Sequence, residues 1–141
     1  MRTFKIRALV PGVVLFSGCA LIGGGAGEFV VEGETYRTSR VECARADGQI
    51  VAALTSGAAA MHVTVLDQPD PTVVMVFTGQ RGGPPLLEMA DDRGRAEVVR
   101  TGDAYEVTGV LLHTQHSQNA ATGEEEEFSA TFTCTRYAEA E

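Results

Sequence analysis

Residues 61–66 read Met61-His62-Val63-Thr64-Val65-Leu66, and this stretch settles the fold class. Met61, Val63 and Val65 share one face, while His62, Thr64 and Leu66 share the other. A period of two is that of a strand with one side turned toward a core. Asp67-Gln68-Pro69-Asp70-Pro71 follows as a turn, because proline cannot donate to a strand ladder. Next comes Thr72-Val73-Val74-Met75-Val76-Phe77-Thr78, the most apolar segment and so the expected central strand. Val73, Met75 and Phe77, with the nearby Leu86, are bulky enough to fill a small core.

The pattern extends both ways. Toward the N-terminus, residues 50–54 form a strand, and Ala46-Asp47-Gly48-Gln49 is a hairpin signal because Asp-Gly accepts the positive φ angles of a tight turn. Residues 36–45 mostly avoid helix formers, and Phe29-Val30-Val31 leads into a turn at Gly33. Residues 56–61, with Gly57 and three alanines, are the one helix-like patch. Toward the C-terminus, residues 86–90, 95–100 and 105–114 read as strands, separated by Asp91-Asp92-Arg93-Gly94 and Thr101-Gly102-Asp103. A polar loop spans residues 115–123. In residues 127–137, Phe128, Ala130, Phe132 and Cys134 alternate with Ser129, Thr131, Thr133 and Thr135. Short strands with turn signals roughly every 8–12 residues predict an all-β domain, either an antiparallel sandwich or a partly closed barrel.

A chain of 141 residues, 44% hydrophobic and 21% charged, suits one such domain with its own core. With 11 Lys+Arg against 19 Asp+Glu the charge balance is the reverse of a phosphate-binding surface, so nucleic acid is not an expected partner. Trp is absent and aromatics make up 6%, which weighs against a broad stacking platform for sugars or bases. No apolar run reaches the roughly 18 residues of a membrane-spanning helix.

Residues 1–18 have a different character. Arg2, Lys5 and Arg7 give a positive start, residues 8–16 form a short apolar run, and the small residues Ser17 and Gly18 precede Cys19. That is the layout of a secretory signal. Leu15-Phe16-Ser17-Gly18-Cys19 resembles a bacterial lipobox, in which the peptide is cut just before a Cys whose thiol is acylated. Phe16 stands where the usual pattern has Leu, Val or Ile. Cysteine parity agrees: of the three cysteines, acylation uses Cys19 and leaves Cys43 and Cys134 to pair in an oxidising compartment. Such a bond closes a very long loop, worth at most roughly 4–5 kcal/mol in chain entropy. After cleavage, 8 basic residues would face 19 acidic ones. Membrane attachment is then expected through lipid rather than a basic patch. Residues 20–27, Ala-Leu-Ile-Gly-Gly-Gly-Ala-Gly, make a short flexible tether.

Several elements now stand in order: the lipobox, the Gly-rich tether, Val30-Val31-Glu32-Gly33, and a strand with Val41-Glu42-Cys43 ending at Asp47-Gly48. Gly102-Asp103-Ala104-Tyr105-Glu106-Val107-Thr108-Gly109 and a last strand with Phe132-Thr133-Cys134 complete the set. Together they resemble the mycobacterial lipoprotein-antigen family of the LpqH type. The resemblance implies three regions: a signal peptide (1–18), an acylated Cys and tether (19–27), and a β-rich domain (28–141). It further implies a palmitate-bearing protein anchored on the extracytoplasmic face of the cell membrane. No enzymatic activity is expected, and host Toll-like receptor 2 would sense the acyl group. Relatives carry a Ser/Thr-rich tether open to O-glycosylation, but residues 20–27 contain neither Ser nor Thr. The competing expectation is a small carrier whose curved sheet wraps an apolar or lipid ligand.

Other motifs have plainer readings. His113 and His116 suggest a metal pair, yet on a strand an i/i+3 pair points to opposite faces, so both are read as surface polar residues at a strand end. Glu124 to Glu127 lack the spacing of a calcium loop and read as a solvated loop edge. Asp91-Asp92 reads as a turn start. Gly23-Gly24-Gly25 has no following Lys-Ser/Thr and no helix, so it is not a phosphate loop. No nucleophile motif is visible, and neither metal nor cofactor is expected.

Overall fold

The computed structural model describes residues 26–38, 40–90, 92–117 and 124–139. Residues 1–25, which include the expected signal peptide and Cys19, lie outside them, as do Asp91 and residues 118–123. The strands are β1 (Gly27–Val31), β2 (Glu34–Thr38), β3 (Arg40–Ala46), β4 (Gln49–Ser56), β5 (Ala59–Leu66) and β6 (Val73–Gln80). They continue as β7 (Pro85–Ala90), β8 (Arg95–Thr101), β9 (Ala104–His113), β10 (Glu125–Thr133) and β11 (Ala138–Glu139). All belong to one sheet, in the order β11-β3-β4-β5-β6-β7-β9-β10-β1-β2, with β8 paired to β9 beside β7. Among the described residues every strand pairing is antiparallel except that of β11 with β3. The sheet curls into a nearly closed barrel, as the strand pattern predicts.

Its tight turns come from the residues placed in them. Asp47 and Gly48 have φ of 55° and 76°, and Glu32 and Gly33 have 54° and 78°, so both hairpins turn through two left-handed residues. The helix-like patch at residues 56–61 is corrected: Ser56 pairs with Ala59, Gly57 turns at φ 61° with Ala58 beside it, and Ala59 and Ala60 start β5. Pairing on both flanks overrides alanine's helix preference.

The core holds Met61, Val63 and Val65 from β5 and Phe128, Ala130 and Phe132 from β10, all on the faces that alternation assigns them. The expected core role of Met75, Phe77 and Leu86 is corrected. The register slips between Thr64 and Val65, which leaves Val74 as an extra residue on β6, and again between Thr78 and Gly79, which leaves Leu86 extra on β7. Each bulge reverses the face of the residues beyond it. Val73, Val76, Leu87 and Met89 therefore point inward, Met75 is exposed, and Phe77 stacks on His62 outside the barrel. The strand expected over residues 127–137 starts earlier, at Glu125, and ends at Thr133 as β10, with β11 following at Ala138–Glu139.

Gly109 has a packing role. There β8 pairs antiparallel with β9, setting Ala96 opposite Gly109. A Cβ at Gly109 would meet the Ala96 Cα at 2.7 Å and come closer still to the Arg95 carbonyl oxygen. The glycine that closes the Tyr105–Gly109 motif is required by backbone approaching backbone.

Candidate functional site

The anchor proposed at Cys19 lies outside the described residues, but the other two cysteines are placed. Cys43 on β3 and Cys134, just past β10, form a disulfide with Cα atoms 5.9 Å apart, within the usual range. Both are buried. The bond crosses from one arm of the sheet to the other, past β1 and β2, and fastens the seam of the barrel.

The interior beneath it is filled. Phe29, Leu54, Met61, Tyr105 and Leu111 are each at most 2% exposed. Among the described residues the larger spaces are surface clefts. One of about 620 Å³ lies against Val41, Val51, Ala53 and Tyr137. Another, of about 250 Å³, lies at the barrel mouth among Phe29, Glu32, Tyr36, Leu86 and Leu87.

Polar side chains converge at that mouth. His113 ends β9 on the same face as Tyr105, Val107 and Leu111, and period two carries its ring inward, leaving the side chain 2% exposed. The expectation that His113 is a surface residue is therefore corrected, whereas His116 is exposed. Glu126 is likewise not on a loop edge. It lies on β10, two residues before Phe128 and on the same inward face, with its neighbours Glu125 and Glu127 exposed. Glu32 arrives from the β1–β2 turn. The ligand-capable atoms of Glu32, His113 and Glu126 all lie within 4.8 Å of one another. His113 Nδ1 is 2.7 Å from Ser117 Oγ, and its Nε2 is 3.2 Å from Glu126 Oε2.

Ser117, His113 and Glu126 thus stand in the order hydroxyl, imidazole, carboxylate. In a nucleophilic triad the imidazole must also reach the substrate. Here it is almost wholly covered, and a second carboxylate, Glu32, is drawn to the same point. That charge pattern suits a cation better than a nucleophile. The sequence signal for this group exists, since His113 and Glu126 continue the inward alternation of their strands. The contribution of Glu32 comes from a third element that linear spacing does not reveal.

A second polar group has a structural role. Asp67 lies 3.5 Å from Arg45 Nε and 3.7 Å from Arg100 Nη1. Arg45 covers the Tyr137 ring at 3.9 Å and Arg100 the Tyr105 ring at 5.2 Å. The Arg45–Tyr137 contact holds the segment leading into β11 against the wall, and the Arg100–Tyr105 contact lies between β8 and β9. Burial, aided by the neighbouring Tyr137, pushes the Tyr105 hydroxyl up to about 12, so it stays protonated at physiological pH. On the outer face, burial lowers the pKa of His62, whose ring stacks on Phe77 at 4.6 Å between centroids.

A disulfide-fastened β-barrel with a packed interior defines a small all-β domain. The chain matches the Mycobacterium 19 kDa lipoprotein antigen family over residues 22–134, most of its length, and it belongs to that family. It is a lipoprotein antigen of the mycobacterial type. Comparison with individual curated proteins finds no match.

Proposed function

We propose that this chain is exported, cleaved before Cys19 and acylated there, and that it displays its barrel as a non-enzymatic module on the extracytoplasmic face of the cell membrane. In this reading residues 1–18 are the signal, 19–27 the acylated tether and 28–141 the presented domain. The observation that carries it is the Cys43–Cys134 bond: it uses both other cysteines and leaves Cys19, directly after Ser17-Gly18, as the one thiol to be explained. The acyl group is then the strongest determinant of function, and host Toll-like receptor 2 is its sensor. The filled interior speaks against a carrier, which would need that volume for its ligand.

A receptor reporter assay tests the sensing. A synthetic diacylated peptide covering residues 19–28 should signal, whereas the Cys19→Ser protein should be silent. Signalling by the unacylated protein with a silent lipopeptide would place the activity in the fold and overturn the reading.

A further inference from the structure

We propose that Glu32, His113 and Glu126 form a binding site for a first-row divalent transition ion, with zinc as the best chemical match. Three elements supply one donor each: the β1–β2 turn, the end of β9 and the start of β10. One imidazole and two carboxylates make a mixed nitrogen and oxygen set. This favours zinc over calcium or magnesium, which prefer oxygen alone. Three protein ligands leave a fourth position for water, the arrangement of an open zinc site.

The orientation of His113 supports this use. Ser117 Oγ, 2.7 Å from Nδ1, can accept a hydrogen bond from Nδ1–H, and in that tautomer the Nε2 lone pair is free to bind an ion held between it and the carboxylate of Glu126. Such partners on the far nitrogen fix the tautomer of metal-binding histidines. His113 and Glu126 are set by their strands, and the ring is almost wholly buried. Tetrahedral bonds of about 2 Å place donor atoms roughly 3.4 Å apart. The group is within 4.8 Å, and the exposed Glu32 side chain can rotate to close the difference. No pair of ligands is adjacent in sequence, so the His113/His116 spacing points to the wrong pair.

The site also has a defined place. Gly27 opens β1 on the tether side, and Glu32 follows Val31 at the other end of that strand. Five steps of roughly 3.3 Å each separate them. The ion would sit at the mouth far from the tether, where it would clip the β1–β2 turn to the barrel wall.

The test is calorimetric titration of the full chain in detergent micelles with Zn²⁺ alone, alongside Ca²⁺ at equal concentration. One equivalent of Zn²⁺ should bind, Ca²⁺ should not compete, and thermal stability should rise with Zn²⁺ concentration. Glu32→Gln, at an exposed turn, keeps the fold intact and should weaken binding at least 10-fold. Ser117→Ala should weaken it by about 10–100-fold, and His113→Gln should abolish it. His116→Gln should leave it unchanged. Absence of Zn²⁺ binding, or binding indifferent to Glu32→Gln and His113→Gln, or binding lost with His116→Gln, overturns the proposal.

Discussion

Cys43 and Cys134 are joined across the seam of the barrel, linking β3 to the residue just past β10, at a sequence separation of 91. The bond joins elements that strand pairing alone does not connect. β3 pairs with β4 and β11, while β10 pairs with β9 and β1. Removing it frees the seam and enlarges the unfolded ensemble.

The double variant Cys43→Ala/Cys134→Ala should therefore lose about 2–5 kcal/mol of stability. Denaturant unfolding under oxidising conditions measures this, and the wild type should show no reactive thiol at either position. A variant as stable as wild type would mean that the seam is held by packing alone.

Gly109→Ala should destabilise the domain by at least about 1–3 kcal/mol, because the added methyl meets main-chain atoms of Arg95 and Ala96 that cannot rotate away. Gly102→Ala provides the contrast: its Cβ would meet nothing within 4 Å, and its strain comes only from φ of 62°. Thermal unfolding of the two variants separates crowding from turn strain. Equal losses would contradict the crowding account.

His62 predicts an acid sensitivity. Burial lowers its pKa from 6.5 in the folded protein, so the neutral ring is the form that the fold accepts. Above pH 6.5 the two states hold the same number of protons at this residue. As pH falls below 6.5 the unfolded chain gains a proton that the folded chain resists, and stability drops. His62→Phe keeps a ring against Phe77 and removes the titration. Its melting temperature should fall less than that of wild type between pH 7 and pH 5, and an identical fall would show that His62 is not the sensor.

How much of this is legible from residue order depends on where the alternation holds. Met61, Val63 and Val65 lie inward as their spacing says, as do Phe128, Ala130, Phe132 and Cys134. Asp47-Gly48 turns as its chemistry requires. Val74 and Leu86 mark the limit. A bulge is set by pairing with a partner strand, and a local pattern has no means of registering it, so alternation alone assigns Met75 and Phe77 to the wrong face. The mouth is half legible. Extending the β9 alternation past Leu111 reaches His113, and extending the β10 alternation back from Phe128 reaches Glu126. Only the pairing of β1 with β10, which sets Val31 opposite Phe128, brings Glu32 to them.

Detergent phase partitioning of the protein expressed in its native envelope tests the proposed anchor at Cys19. Wild type should enter the detergent phase as a cleaved, acylated form. Cys19→Ser should instead appear in the aqueous phase or accumulate as uncleaved precursor. Normal processing of Cys19→Ser with full retention in the detergent phase would contradict the account.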